Sequence, residues 1–219
     1  MMRVVVLVVS VLTLTGCVST KVVPIQQERM ANLQGSTITV TTREKPSFGA
    51  TTAGKASFGL LGAAAMISAG NEIVKKNAVE DPAVAIATEL ASGFASANAM
   101  TVVPTEGVLA KSTNPAELAR QYSKADLVLD VQTVNWGFAY FPTDWNNYRV
   151  IYSAKARLID TRTRKVLAEG FCSRVPEKTD DAPSHEELLA NQAARLKQEL
   201  EAAAQHCVSE FRSKVLKSS

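Results

Sequence analysis

Few side chains in this sequence have the types and spacing that could do chemistry. The three cysteines are Cys17, Cys172 and Cys207, and their separations match no zinc pattern, which needs closely spaced thiolates or histidines. The two histidines stand apart, His185 ahead of Glu186-Glu187 and His206 next to Cys207. Asp180-Asp181 could hold a cation, but adjacent acids ahead of a helix read as a solvated loop. No Gly-x-Ser-x-Gly elbow or Ser-x-x-Lys pair presents an activated serine. No catalytic residue, metal or cofactor is therefore expected. With 24 basic against 21 acidic residues, there is no basic excess to bind nucleic acid. A composition 46% hydrophobic and 21% charged excludes a wholly disordered chain. The remaining concentration of side chains is aromatic. Trp136, Phe138, Tyr140, Phe141, Trp145, Tyr148 and Tyr152 are seven of the 13 aromatics. Cross-strand core packing accounts for most of such a group. Trp145 lies within the Pro142–Asn147 loop, which Phe141 and Tyr148 flank; these three are the candidate partner-binding residues, with Trp145 foremost because its neighbours are turn formers.

The amino terminus addresses the protein. Arg3 precedes an uncharged run from Val4 to Leu14, too short for a bilayer span of roughly 20 residues and suited to a secretory leader. The run ends in Leu14-Thr15-Gly16-Cys17, which resembles the lipobox of bacterial lipoproteins. That resemblance implies a signal peptide over 1–16 and fatty acids such as palmitate on Cys17, with two or more chains holding the protein stably at the bilayer. Val18-Ser19 in place of an aspartate implies sorting to the outer membrane, with the body on the periplasmic side. Residues 17–35 then form the lipidated cysteine and a tether, and 36–219 a single periplasmic domain. In that oxidising compartment Cys172 and Cys207, the thiols left over, are expected to pair. A tight hairpin joining Asp160 to Lys165 would put Leu167 and Phe171, not Cys172, on the face of Leu158. A different register or a helix on the other face is needed, and the pattern alone leaves both open.

The elements that must position these residues follow from periodicity. Ser36–Arg43 reads as a strand. Ser47–Gly70 is a Gly/Ala-rich insertion, uncharged from Ala56 to Asn71, expected as a small-residue helix or loop packed on the domain, with membrane contact as the alternative. Asp81-Pro82 and Asn114-Pro115 are cap-then-proline helix starts. A short strand, Met100–Val103, lies between those two helices. A three-stranded meander spans about 126–174, with apolar parity switching near Gln132-Thr133 as a β-bulge would require. Ser184-His185-Glu186-Glu187 is a capping box opening a helix to about Leu216, with Leu189, Ala193, Leu196, Leu200, Ala203, Cys207, Phe211 and Val215 on its apolar face. The fold class is α/β (α+β): a two-layer sandwich whose mixed sheet ends in an antiparallel meander covered by helices.

The turn Ile159-Asp160-Thr161-Arg162-Thr163-Arg164-Lys165-Val166 is similar to a hairpin in periplasmic α/β lipoprotein domains of the curli-secretion lipoprotein, TolB amino-terminal and penicillin-binding-protein-activator group. Arg164 stands where that group carries glycine. The resemblance implies a non-enzymatic role in envelope assembly and transfers no functional residue. An adaptor that docks an envelope protein or forms homo-oligomers would expose an apolar or aromatic patch and lack a polar pocket. A tethered ligand binder or enzyme would show convergent polar groups near His185, Asp180 or Asp130.

Overall fold

The computed structural model describes residues 22–56, 59–105 and 107–217. Cys17 and the leader lie outside the described residues. In chain order the elements are α1 (Gln27–Met30), β1 (Thr37–Val40), β2 (Gly49–Thr51), α2 (Ala53–Ala56), α3 (Gly59–Lys76), α4 (Pro82–Ala97), β3 (Thr101–Val102), α5 (Pro115–Gln121), β4 (Leu127–Phe141), β5 (Asp144–Asp160), β6 (Lys165–Arg174) and α6 (His185–Phe211), which ends in a π-helical turn over Arg212–Leu216. The strand order is β3-β1-β4-β5-β6, and β2 pairs with β4 further along the same edge. β1 is parallel to β3 and β4, whereas β4, β5 and β6 form the expected antiparallel meander. The principal core lies between one sheet face and the helices α4 and α6. A smaller cluster of Leu118 and Ala119 from α5, with Tyr122 just beyond its end, covers Val128 and Ile159 on the other face.

Two bulges set which side chains meet. In β4 the register shifts between Thr133 and Asn135, so Val134 is the extra residue and is itself exposed. The shift puts Trp136 and Phe138 in the same core as Leu127, Leu129 and Val131. On β5–β6, Asp160 does pair with Lys165 and Ile159 with Val166, but Leu158 pairs with Ala168. Leu167 is therefore supernumerary, and Ala168, Gly170 and Cys172 face the helix layer. This bulge resolves the parity conflict: Cys172 reaches Cys207 on α6 and forms the disulfide, with Cα atoms 5.5 Å apart. At the turn, Arg164 adopts φ +58°, the left-handed backbone that a glycine would take without Cβ strain.

The helices begin where their caps lie. Asp81 accepts from Ala83 N at the start of α4, Asn114 from Ala116 N and Glu117 N at α5, and Ser184 and Glu187 complete the capping box of α6. Helix α6 is not one regular rod. Asn191, Gln192 and Ala193 carry left-handed backbone angles, and the kink shifts the phase of the apolar face. Leu188 is consequently the fully buried residue before the kink, with Leu189 only partly buried.

The amino-terminal segment is bound to the domain earlier than a tether through Gly35 would imply. Val23 exchanges two backbone hydrogen bonds with Glu169 on the edge strand β6, at 2.7 and 2.8 Å, and Ile25 N donates to Val215 O at 2.9 Å. Burial of Ile25 and Leu33 in the core holds the segment there.

Candidate functional site

The structure separates the residues singled out from sequence. Trp145, at the tip of the β4–β5 hairpin, is 66% exposed; its indole N–H donates to Pro142 O and its ring meets Tyr140 edge-on at 6.3 Å. Tyr148 and Phe141 do not share that surface. Tyr148 is buried against Phe138 and His185, with ring centroids 5.7 and 5.5 Å away, and Phe141 is buried beneath the Arg149 guanidinium. Tyr148 is packed in the principal core and Phe141 is covered by Arg149, so of the three aromatics only Trp145 offers a broad face to a partner. His185 sits over the same rings as Tyr148, and burial first, then the charge of Lys55, pulls its imidazole below the usual histidine range. Among the described residues no group of histidines, cysteines or carboxylates is arranged to hold a metal ion.

The Gly/Ala-rich insertion divides into two parts. Its first residues form β2 beside β4, a strand hidden in the sequence by the surrounding glycines and prolines. There a Cβ on Gly137 would lie 2.3 Å from Gly49 O. The second half of α3 packs on β2: a Cβ on Gly70 would lie 2.0 Å from Phe48 O, and Asn71 Oδ1 accepts from Phe48 N. The first half is mostly exposed, with only Gly62 buried. Leu60 and Leu61 are 92% and 82% exposed, and Ile67 is exposed as well. The uncharged stretch therefore presents two leucines and several alanines to solvent on a helix. No helix among the described residues is long and apolar enough to cross a membrane.

A second feature lies at the carboxyl end of β1. Asp130 is fully buried on β4 and accepts from Arg43 Nε, an Arg157 terminal nitrogen, Thr41 Oγ1 and Gln132 Nε2. Burial opposes its ionisation, but the hydrogen bonds and charges of Arg43 and Arg157 outweigh that and hold its carboxyl below the usual range. Arg43 and Arg157 also donate to the carbonyls of Ala110, Ser112 and Thr113, so the cluster ties the loop after β3 to the sheet. Beside it opens a crevice of about 510 Å³ between β1, β4, the loop and the start of α4. Asp130 had a visible sequence signal as the lone acid within an apolar strand. Asp81 is read from sequence only as a helix cap, and its place in the crevice depends on which strands the helix joins.

No family model and no curated protein matches this sequence. Among solved structures, the chain is similar to lipoprotein GNA1162 from Neisseria meningitidis at 18% identity, covering 80% of this chain and 99% of that one, with a TM-score of 0.35. It is similar to the PelC dodecamer from Paraburkholderia phytofirmans at 14% identity, covering 83% and 89%, with a TM-score of 0.35. It is also similar to protein XCC0632 from Xanthomonas campestris at 11% identity, covering 83% and 89%, with a TM-score of 0.38. Bacterial lipoproteins are thus among the structural neighbours. Likeness at this level says nothing about activity.

Proposed function

We propose that the chain is an outer-membrane-anchored periplasmic lipoprotein, acylated at Cys17, that acts without catalysis as an adaptor docking an envelope protein through the first half of α3. The observation that carries this reading is the exposure of Leu60 and Leu61 within a stretch that has no charge. Covering each leucine would contribute about 1.5–3 kcal/mol, and contiguous exposed apolar surface marks an interaction site.

The occupant proposed is a protein, and the crosslinking test below separates it from the bilayer. From Cys17 to Val23 the chain reaches ~20 Å at most, which keeps the Val23–Glu169 edge of β6 near the membrane. Glu169 connects through Arg157 to Asp130 on β4, whereas β2 leads towards α2 and α3 from opposite Ala139. Those positions on β4 lie about 25–30 Å apart along the strand, so the start of α3 lies well along the sheet from the Val23–Glu169 pairing.

Photocrosslinking from position 61 of the full chain in cells tests the proposal. The expected result is a crosslink to a different envelope protein that disappears in Leu60→Glu/Leu61→Glu, a variant that retains wild-type thermal stability because both side chains are already in water. Crosslinks confined to lipid, to a second copy of the chain, or absent would overturn it.

A further inference from the structure

The crevice beside Asp130 is placed where an open α/β sheet accommodates small ligands. The parallel strands run in the order β3-β1-β4, so the chain leaves β1 on one side and returns on the other. Helix α4 lies on the principal core face, and α5, between β3 and β4, covers the opposite face. The carboxyl end of β1 is thus a topological switch point, where the connections diverge and leave a cleft. The volume of about 510 Å³ falls within the range of small-molecule sites.

The lining has charges of both signs. Asp81 caps α4 through Oδ1, which accepts from Ala83 N and Thr133 Oγ1. Neither hydrogen bond engages Oδ2. The carboxyl is buried, and burial raises its pKa, so it sits there at a cost that a solvated cap would avoid. Glu44 and Lys111 line the crevice, and no hydrogen bond or ion pair engages either side chain among the described residues. Val84 and Leu109 supply apolar walls and are exposed. Arg43 is already committed to Asp130 and two carbonyls, which leaves Lys111 as the free cation of the crevice among the described residues.

We infer that this crevice binds a small zwitterion of amino-acid or dipeptide size, its ammonium held by Asp81 and Glu44 and its carboxylate by Lys111. A simple anion would meet two carboxyl groups, and a simple cation would leave Lys111 unanswered. A sugar would use neither charge. The ligand's side chains rest against Val84 and Leu109. The crevice and the exposed leucines share no residue; the crevice's charged lining beside Asp130 is the convergent polar site expected of a tethered ligand binder, so this inference adds a ligand-binding role to the docking proposed for α3.

Calorimetric titration of the full chain, purified from membranes in detergent, with glycyl-leucine and with its N-acetylated, C-amidated form distinguishes the possibilities. The expected result is millimolar or tighter binding of the free dipeptide, loss of binding on blocking both termini, and weakening by about tenfold in each of Asp81→Asn and Lys111→Ala. Asparagine caps a helix as well as aspartate, so Asp81→Asn keeps the fold while removing the charge, and Lys111 is on the surface. Absence of binding, equal binding of the blocked form, or unchanged affinity in both variants would overturn the inference.

Discussion

Reducing the Cys172–Cys207 disulfide isolates one covalent constraint with little change in packing. The bond closes a separation of 35 residues, which in the chain-entropy relation restrains the unfolded chain by about 3.8 kcal/mol at room temperature. It joins β6 to α6 across the principal core, and both cysteines are buried, so the native state keeps its contacts when the sulfurs separate. For a domain of this size that loss corresponds to roughly 8–15 °C in Tm. The assay is urea unfolding of the purified chain with and without a strong reductant, followed by far-ultraviolet circular dichroism. The reduced form should unfold at a markedly lower urea midpoint with a larger m-value, because the freed chain exposes more surface. The double variant Cys172→Ala/Cys207→Ala should lose somewhat more, since it also gives up two buried sulfur atoms. A loss below about 1 kcal/mol on reduction would refute the reasoning: either the unfolded chain is restrained by something else, or the native helix and strand are strained by the link.

Asp130→Ala would leave Arg43 and Arg157 without their buried counter-charge and should cost about 3–5 kcal/mol. Because the folded pKa of Asp130 is depressed, its contribution is full above the unfolded value near 3.9 and is lost as pH falls through the folded value; unfolding midpoints between pH 7 and pH 3 should therefore fall less steeply in the variant than in wild type. His185 acts in a different window: its folded pKa is lowered, so its contribution is present above about 6.5 and fades as pH drops below that, and His185→Gln should flatten the stability profile there. Gly137→Ala places a methyl group 2.3 Å from Gly49 O and should destabilise by about 1–3 kcal/mol, whereas in Gly54→Ala the added methyl group has open space around it and should be neutral or stabilising in the same denaturation assay. Arg164→Gly relieves the left-handed backbone at φ +58° and should raise stability by about 1 kcal/mol, read as an upward shift in the urea midpoint.

Much of the scaffold could be read from local chemistry, and the exceptions have a common cause. Asp81-Pro82, Asn114-Pro115 and Ser184-Glu187 marked helix starts because a cap is decided by groups within three residues of one another. The meander showed itself through alternation, and the parity switch in β4 located a bulge without a partner strand in view. The β5–β6 bulge left only an indirect trace, the parity conflict at Cys172, which a shifted register or a helix on the other face would answer equally. Leu167 and Ala168 are both apolar and both buried in the principal core, and only pairing with β5 shows that Leu167 is the extra residue. β2 was hidden for the same reason: Gly49-Ala50-Thr51 has no strand signature and becomes a strand because β4 offers an open edge and Gly137 lets Gly49 approach. The division of α3 into a packed half and an exposed half likewise depends on where β2 ends.

The two candidate sites differ in what makes them available. The exposed half of α3 is a property of composition: an uncharged run of glycine, alanine and leucine carries no polar side chain to satisfy water, so its exposure is a cost wherever the helix lies. The crevice is a property of topology. Asp81 would be an ordinary cap and Lys111 an ordinary surface lysine if β3 and β4 lay on the same side of β1. The crossing of the chain over β1 brings helix start, loop and strand together, and the Asp130–Arg43–Arg157 cluster fixes the loop that carries Lys111. Asp130→Ala should therefore weaken glycyl-leucine binding although Asp130 does not line the crevice, and should leave crosslinking from position 61 intact as long as the chain stays folded. Equal loss of both would mean that the sheet transmits the disturbance as a whole, and the two ends could not then be treated as separate surfaces.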